Sequence, residues 1–237
     1  MFNHKEDIQV TKKDQVRVVE DLIESSRLSG SFYLMLILST GVVTLGLILN
    51  NSAIIIGGML ITPLLTPILT LSLGVVIADK NLVWRSSKII LRSIGITVGI
   101  SVVIAFLFPI TELKLEIASR LVSNIPYLLV AFLAGLAATF AWSRKNLSAM
   151  LPGVAIAVSI MPPLSVIGIG IGNFNLEIIR GSILTFILNL FGIIVGSIII
   201  FSVLCFHKVR RETVKAVKKE IKEEEKIKKE IKEKNSN

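Results

Sequence analysis

Apolar and polar residues fall along this chain in long blocks, not in the short alternation of a soluble domain. Residues 1–31 are polar, and six apolar stretches follow at about 32–49, 53–78, 89–110, 125–142, 150–171 and 183–206. Each nears or exceeds the roughly 20 residues that carry a helix across hydrocarbon. The second is longer than the others, as expected if it breaks at Thr62-Pro63 and again near Pro67. The pattern predicts an all-α, polytopic membrane protein of six transmembrane helices, since a helix satisfies its own backbone in lipid.

The polar segments between the stretches give an orientation. Residues 79–88 carry Lys80, Arg85 and Lys88, residues 143–146 carry Arg144 and Lys145, and residues 207–237 are strongly basic. The alternate segments carry less: none in 50–52, Lys114 and Arg120 in 111–124, and Arg180 in 172–180. Basic residues favour the cytoplasmic side. Both termini are therefore expected in the cytoplasm, with the chain multi-pass in the cell's inner (plasma) membrane. Arg92, about one turn inside the third stretch, is expected to snorkel to that face, or else to serve as a counter-charge in a pore.

The two halves of the chain align with each other. Phe32-Tyr33-Leu34 matches Pro126-Tyr127-Leu128, and Met59-Leu60-Ile61-Thr62-Pro63-Leu64 matches Ser159-Ile160-Met161-Pro162-Pro163-Leu164 at a spacing of 100 residues. Asn81-Leu82 with Arg85-Ser86 resembles Asn175-Leu176 with Arg180-Gly181-Ser182. Each unit holds three stretches, and an odd-numbered unit repeated in tandem enters the membrane in opposite senses. The expected plan is a 3+3 inverted-topology repeat with broken helices 2 and 5. Its parts are a cytoplasmic segment 1–31, a first unit 32–110, an external linker 111–125, a second unit 126–206 and a basic cytoplasmic tail 207–237.

The run from Asn51 to Ile68 (NSAIIIGGMLITPLLTPI), with Asp79 and Leu82, Leu151 to Val158 (LPGVAIAV) and Pro162-Pro163-Leu164, resembles a widespread hydrophobic-domain family of bacterial and archaeal membrane proteins. That family is domain of unknown function three hundred and eighty-nine, and the resemblance extends over nearly all of residues 30–206. It implies a membrane location and a helical core. Many family members carry an added soluble domain, so the resemblance makes this chain look like a minimal membrane core. No activity comes with the resemblance.

The candidate site residues lie at the two proline motifs. Pro63, Pro67, Pro162 and Pro163 each remove a backbone donor, which frees a carbonyl that lipid cannot pair. Either the resulting half-helix ends bind a solute or ion, or Thr62, Thr66 and Ser165 hydroxyls take up the freed carbonyls in a kinked packing helix. Ser159 belongs to the same group. Asn50, Asn51 and Ser52 stand at a turn, either as helix caps or as the lining of a vestibule. Asn189, inside the sixth stretch, needs a partner, either a neighbouring helix or a solute. Asp79 suits a helix cap or loop salt bridge, or else a gating contact. The patch over 14–29 places Val16, Val19, Leu22 and Ile23 on one helical face, for a helix on the membrane surface or on the bundle, or for docking.

Composition narrows the function. The chain is 52% hydrophobic and 18% charged, outside the soluble range. Its net charge of +9 lies largely in the loops and in the tail, which holds twelve basic and seven acidic side chains, so it reports topology and not nucleic-acid binding. One cysteine, Cys205, excludes an intrachain disulfide, and the two histidines stand far apart, so no metal or other cofactor is expected. No Asp, Glu or His falls near the centre of a stretch, which disfavours proton coupling through an intramembrane acid. No nucleophile has a neighbouring base, so an enzyme is not expected. The expected partners are the lipid bilayer, a small solute or ion, and further copies in a homo-oligomer. The expectation is a transporter or channel, with a membrane scaffold or sensor acting through the tail as its rival.

Overall fold

The computed structural model describes residues 12–25, 29–122, 124–144, 147 and 160–206. Within them the chain is all-helical. The elements are α1 (Lys12–Ser25), α2 (Gly30–Ile48), α3 (Ser52–Ile61), α4 (Leu65–Val76), α5 (Lys80–Leu107), α6 (Leu115–Ala118), α7 (Ile125–Trp142), α8 (Met161–Gly172) and α9 (Leu176–Val203). Helices α2, α5, α7 and α9 are long and apolar enough to cross a membrane. The pair α3 and α4 passes the same test together, with its axes bent by 55° at the Thr62–Leu64 junction, and α8 is a shorter apolar helix.

Helices α4 and α5 are echoed by α8 and α9. Each element of the second pair starts 96 positions after its counterpart, Leu65 to Met161 and Lys80 to Leu176, and the members have equal lengths of 12 and 28 residues. The turns match too. Ala78 and Phe174 both take the left-handed conformation at φ 53°. Asp79 then caps α5 through the amides of Asn81 and Leu82, as Asn175 caps α9 through those of Glu177 and Ile178. A third copy of this turn joins α2 to α3, with Asn50 at φ 53° and Asn51 as the cap.

These caps correct two boundaries. The third stretch was expected to become helical near residue 89 and the sixth near 183, but α5 begins at Lys80 and α9 at Leu176. Hydropathy discounts a helix's charged first turns; the Asx side chain starts it regardless. Arg92 accordingly stands exposed on the outer side of α5.

Helices α5 and α8 run side by side, and so do α7 and α9, at glycine-enforced separations. A Cβ on Gly168 would collide with Ser101 and stand 2.7 Å from the Val98 carbonyl oxygen. One on Gly135 would collide with the Ile193 carbonyl. Small residues at such contacts let two backbones approach closely, which is how helices associate without water to drive them together. Helix α4 packs on α1, α5 and α9, while α8 packs on α2, α5 and α9 and touches α3. Large apolar side chains such as Leu91, Phe106, Leu133 and Ile187 point outward.

Helix α1 covers Lys12–Ser25 of the expected amphipathic patch and packs on α4, with residues 26–28 outside the described residues. Val18, Val19, Leu22 and Ile23 of α1 are buried. Its Gln15 side chain donates to the Leu204 carbonyl over 2.7 Å, tying α1 to the end of α9.

Candidate functional site

The α3–α4 junction is built by Pro63. Thr62 ends α3 in an extended conformation (φ −68°, ψ 132°), as residues preceding proline tend to do. Its amide bonds back to the Met59 carbonyl at 3.3 Å, and Pro63 offers no amide to continue the ladder. Helix α4 restarts at Leu65 without a side-chain cap, and Pro67 sits third in it, in the first turn, where a missing N–H costs nothing. In α8, Pro162 and Pro163 likewise occupy the second and third positions. The structural equivalent of Pro163 is thus Pro67, and Pro63 stands in the junction before α4. The stretch that would correspond to α3, together with Ser159, lies outside the described residues.

Hydroxyl groups surround the junction in two states. The Thr66 hydroxyl lies 3.2 Å from both the Pro63 and the Ser25 carbonyl oxygens, so one freed carbonyl is taken up and α1 is held against α4. Thr70 reaches the carbonyls of Leu22 and Thr66 at 3.2 and 2.8 Å. By contrast, Thr62 Oγ1 at the junction and Ser165 Oγ in α8 are buried with no hydrogen-bond partner among the described residues. An unpaired buried hydroxyl costs about 1–3 kcal/mol, and Ser86 Oγ of α5 shares this state.

The other expected site residues are placed elsewhere. Asn51 caps α3 through the amides of Ala53 and Ile54, and Ser52 donates to the Glu116 carboxylate. Asn50 accepts from the Glu116 amide at 2.9 Å, and Glu116 pairs with Arg120 at 3.5 Å. This cluster lies at the opposite end of α3 from Thr62, roughly 15 Å away along a ten-residue helix. Asn189 is buried in α9, at the position equivalent to Ser93 of α5. Beyond the far end of α8, a cavity of about 190 Å³ is lined by Thr111, Glu112, Asn173, Asn175 and Glu177. Its amides are engaged, because Asn175 caps α9 and Asn173 bonds to the backbone of Ile110 and Ile169. Among the described residues no cluster of His, Cys, Asp and Glu is placed to hold a metal.

One feature was missed in the sequence. Thr40 and Thr44 of α2 face Thr97 and Ser101 of α5 across 3.4 and 2.8 Å, all four fully buried. Thr97 also reaches the sulfur of Met161, the first residue of α8, at 4.0 Å. The seam thus runs from α2 through α5 to the start of α8. Its signal was the i, i+4 spacing of hydroxyls at 40/44 and 93/97/101, which puts each set on one helical face.

Residues 59–195 match the family model "Domain of unknown function (DUF389)". An uncharacterized protein of Methanocaldococcus jannaschii is 33% identical over 177 residues, which cover 75% of this chain and 55% of that relative. The chain thus spans about half the length of the relative it matches. No solved structure matches it. With the family model covering more than half its length, both proline motifs included, the chain belongs to the DUF389 family.

Proposed function

We propose that this chain passes a small solute or ion across the plasma membrane, as a carrier or channel built from a 3+3 inverted-topology repeat. In this reading α3 and α4 together make one broken span, α8 ends the fifth, and both termini are cytoplasmic. The passage runs by Thr62, Pro63, Thr66 and Pro67 on one side and Pro162, Pro163 and Ser165 on the other. The observation that carries the reading is the Thr62 hydroxyl, buried with no partner among the described residues, beside backbone that has left the helix. Irregular backbone at membrane depth is tolerated where protein covers it or where it lines a water-filled cavity. The exchange of neighbours supports the repeat: α5 lies on α8 as α4 lies on α9, across the two halves.

The rival is a dry scaffold that acts through its charged tail. It draws on Thr66 and Thr70, whose hydroxyls hold α1 over the start of α4. Thiol accessibility separates the two. In a Cys205→Ser background, single cysteines at Thr62 and Ser165 should react with a membrane-impermeant thiol reagent, while one at Leu73 in the core should not. If Thr62 and Ser165 stay unlabelled from both sides while Asn50 reacts, the passage reading fails and the scaffold stands.

A further inference from the structure

The ends of the interrupted helices are not balanced between donors and acceptors. A helix N-terminus attracts anions through its free amides, and a C-terminus attracts cations through its free carbonyls. Here the N-terminal ends are depleted. Helix α8 starts Met161-Pro162-Pro163, so two of its first three residues have no N–H, and α4 loses one at Pro67. Among the described residues neither helix has a side-chain cap, so no cap oxygen takes up the amides that remain at each start.

The C-terminal end of α3 is the reverse. Its last carbonyls belong to Gly58, Met59, Leu60 and Ile61, and the following residues should have paired them. Pro63 has no amide to give, and the Thr62 amide goes to Met59. No backbone amide among the described residues bonds the carbonyls of Gly58, Leu60 or Ile61 from beyond the helix. Beside them lies Thr62 Oγ1, buried with no partner among the described residues. The junction therefore gathers oxygen lone pairs at the end of α3, facing an α4 start that Pro67 deprives of one amide.

We infer that the α3–α4 junction is a site for a monovalent cation, held by the α3 C-terminal carbonyls and the Thr62 hydroxyl. The inference rests on the passage reading above and names the ion class it takes. Neither residues 52–76 nor residues 160–172 contain an acidic side chain. A divalent cation, whose dehydration needs carboxylates, is thereby disfavoured, whereas neutral oxygens suffice for an alkali ion. The prolines at the starts of α4 and α8 weaken the pull of these ends on an anion at the same place.

The full chain in liposomes tests this, with sodium, potassium, chloride and calcium as the probes. The expected result is uptake of sodium or potassium against N-methylglucamine, with no comparable uptake of chloride or calcium. Sodium or potassium should also raise the melting temperature of the detergent-solubilised protein. Thr62→Val keeps the shape and removes the hydroxyl. Pro63→Ala restores an amide that can bond the α3 carbonyls. Each should weaken the dependence on the cation by about tenfold, and Leu91→Ala, on the outward face of α5, should leave it within about twofold. The variants' melting temperatures in N-methylglucamine report folding separately. Chloride or calcium uptake in place of the alkali ions overturns the cation assignment and leaves the passage reading intact. Uptake unaltered in folded Thr62→Val and Pro63→Ala overturns the junction as the site. No uptake of any of these ions, with Thr62 closed to thiol reagents, removes both.

Discussion

The α4–α5 and α8–α9 pairs share lengths, left-handed turns, caps and buried register, yet they meet their flanking helices through different chemistry. Buried positions Ser86, Ser93, Thr97 and Ser101 of α5 fall 96 positions before buried Ser182, Asn189, Ile193 and Ser197 of α9. Against α5, helix α2 presents Thr40 and Thr44, and the helices are joined by hydroxyl pairs. Against α9, helix α7 presents Gly135, and backbone touches backbone at Ile193, while Gly192 and Gly196 of α9 do the same against α7. One geometry is therefore held in two ways. The glycine side is closed tightly. The hydroxyl side keeps a polar seam that leads to the start of α8, and it is the half that carries the α3–α4 junction.

The widest separation between the halves should appear on adding bulk. Gly135→Val drives two methyls into the Ile193 backbone, which has nowhere to retreat. We expect a loss of at least about 3 kcal/mol, the scale of severe overpacking, read as a collapse of folded yield and melting temperature in detergent. The corresponding change in the first half, Thr40→Val, replaces a side chain of nearly equal size. It should lower the melting temperature by only a degree or two. Equal losses would mean that the two interfaces are not distinguished as described.

A smaller test addresses the turns, where the halves should behave alike. Asp79→Ala and Asn175→Ala each remove two hydrogen bonds to the first turn of a 28-residue helix. Each should cost about 1 kcal/mol, within the usual range for a lost N-cap. Thermal melts of the two variants should fall together. A loss confined to Asp79 would show that its carboxylate does something beyond capping, as a gating contact would require.

Much of this arrangement could be read from residue order. The apolar blocks located α2, α7 and the α3–α4 pair closely, because burial in lipid or protein demands long apolar runs. The starts of α5 and α9 were misjudged, since hydropathy is blind to a helix whose first turns are charged and whose cap is one Asp or Asn. The proline motifs were visible, but their register was not. Matching Pro63 to Pro163 is natural by eye, whereas helix starts and caps pair Pro163 with Pro67. The hydroxyl seam was overlooked for a related reason. Its members are scattered singly among leucines and isoleucines, and only the packing of α2 on α5 reveals that Thr44 faces Ser101.

That last pair offers the finest test of the difference between the halves. Thr44 and Ser101 hydroxyls lie 2.8 Å apart, and each is fully buried. Thr44 also donates to the Thr40 carbonyl at 2.7 Å, so Ser101 must be the donor between the helices. Thr44→Val removes the acceptor and strands the Ser101 proton, Ser101→Ala removes the donor, and the double variant removes both. A double-mutant cycle on melting free energies should give a coupling of about 0.6 kcal/mol, the average for hydrogen bonds between membrane helices. The equivalent pair in the other half, Thr139 with Ser197, should give none. There each hydroxyl faces the Gly135 carbonyl, at 2.9 and 3.5 Å, and the two share an acceptor in place of a bond. Coupling in both halves would make the hydroxyl seam an ordinary packing device. Coupling in the first alone would mark it as a polar line built beside the junction.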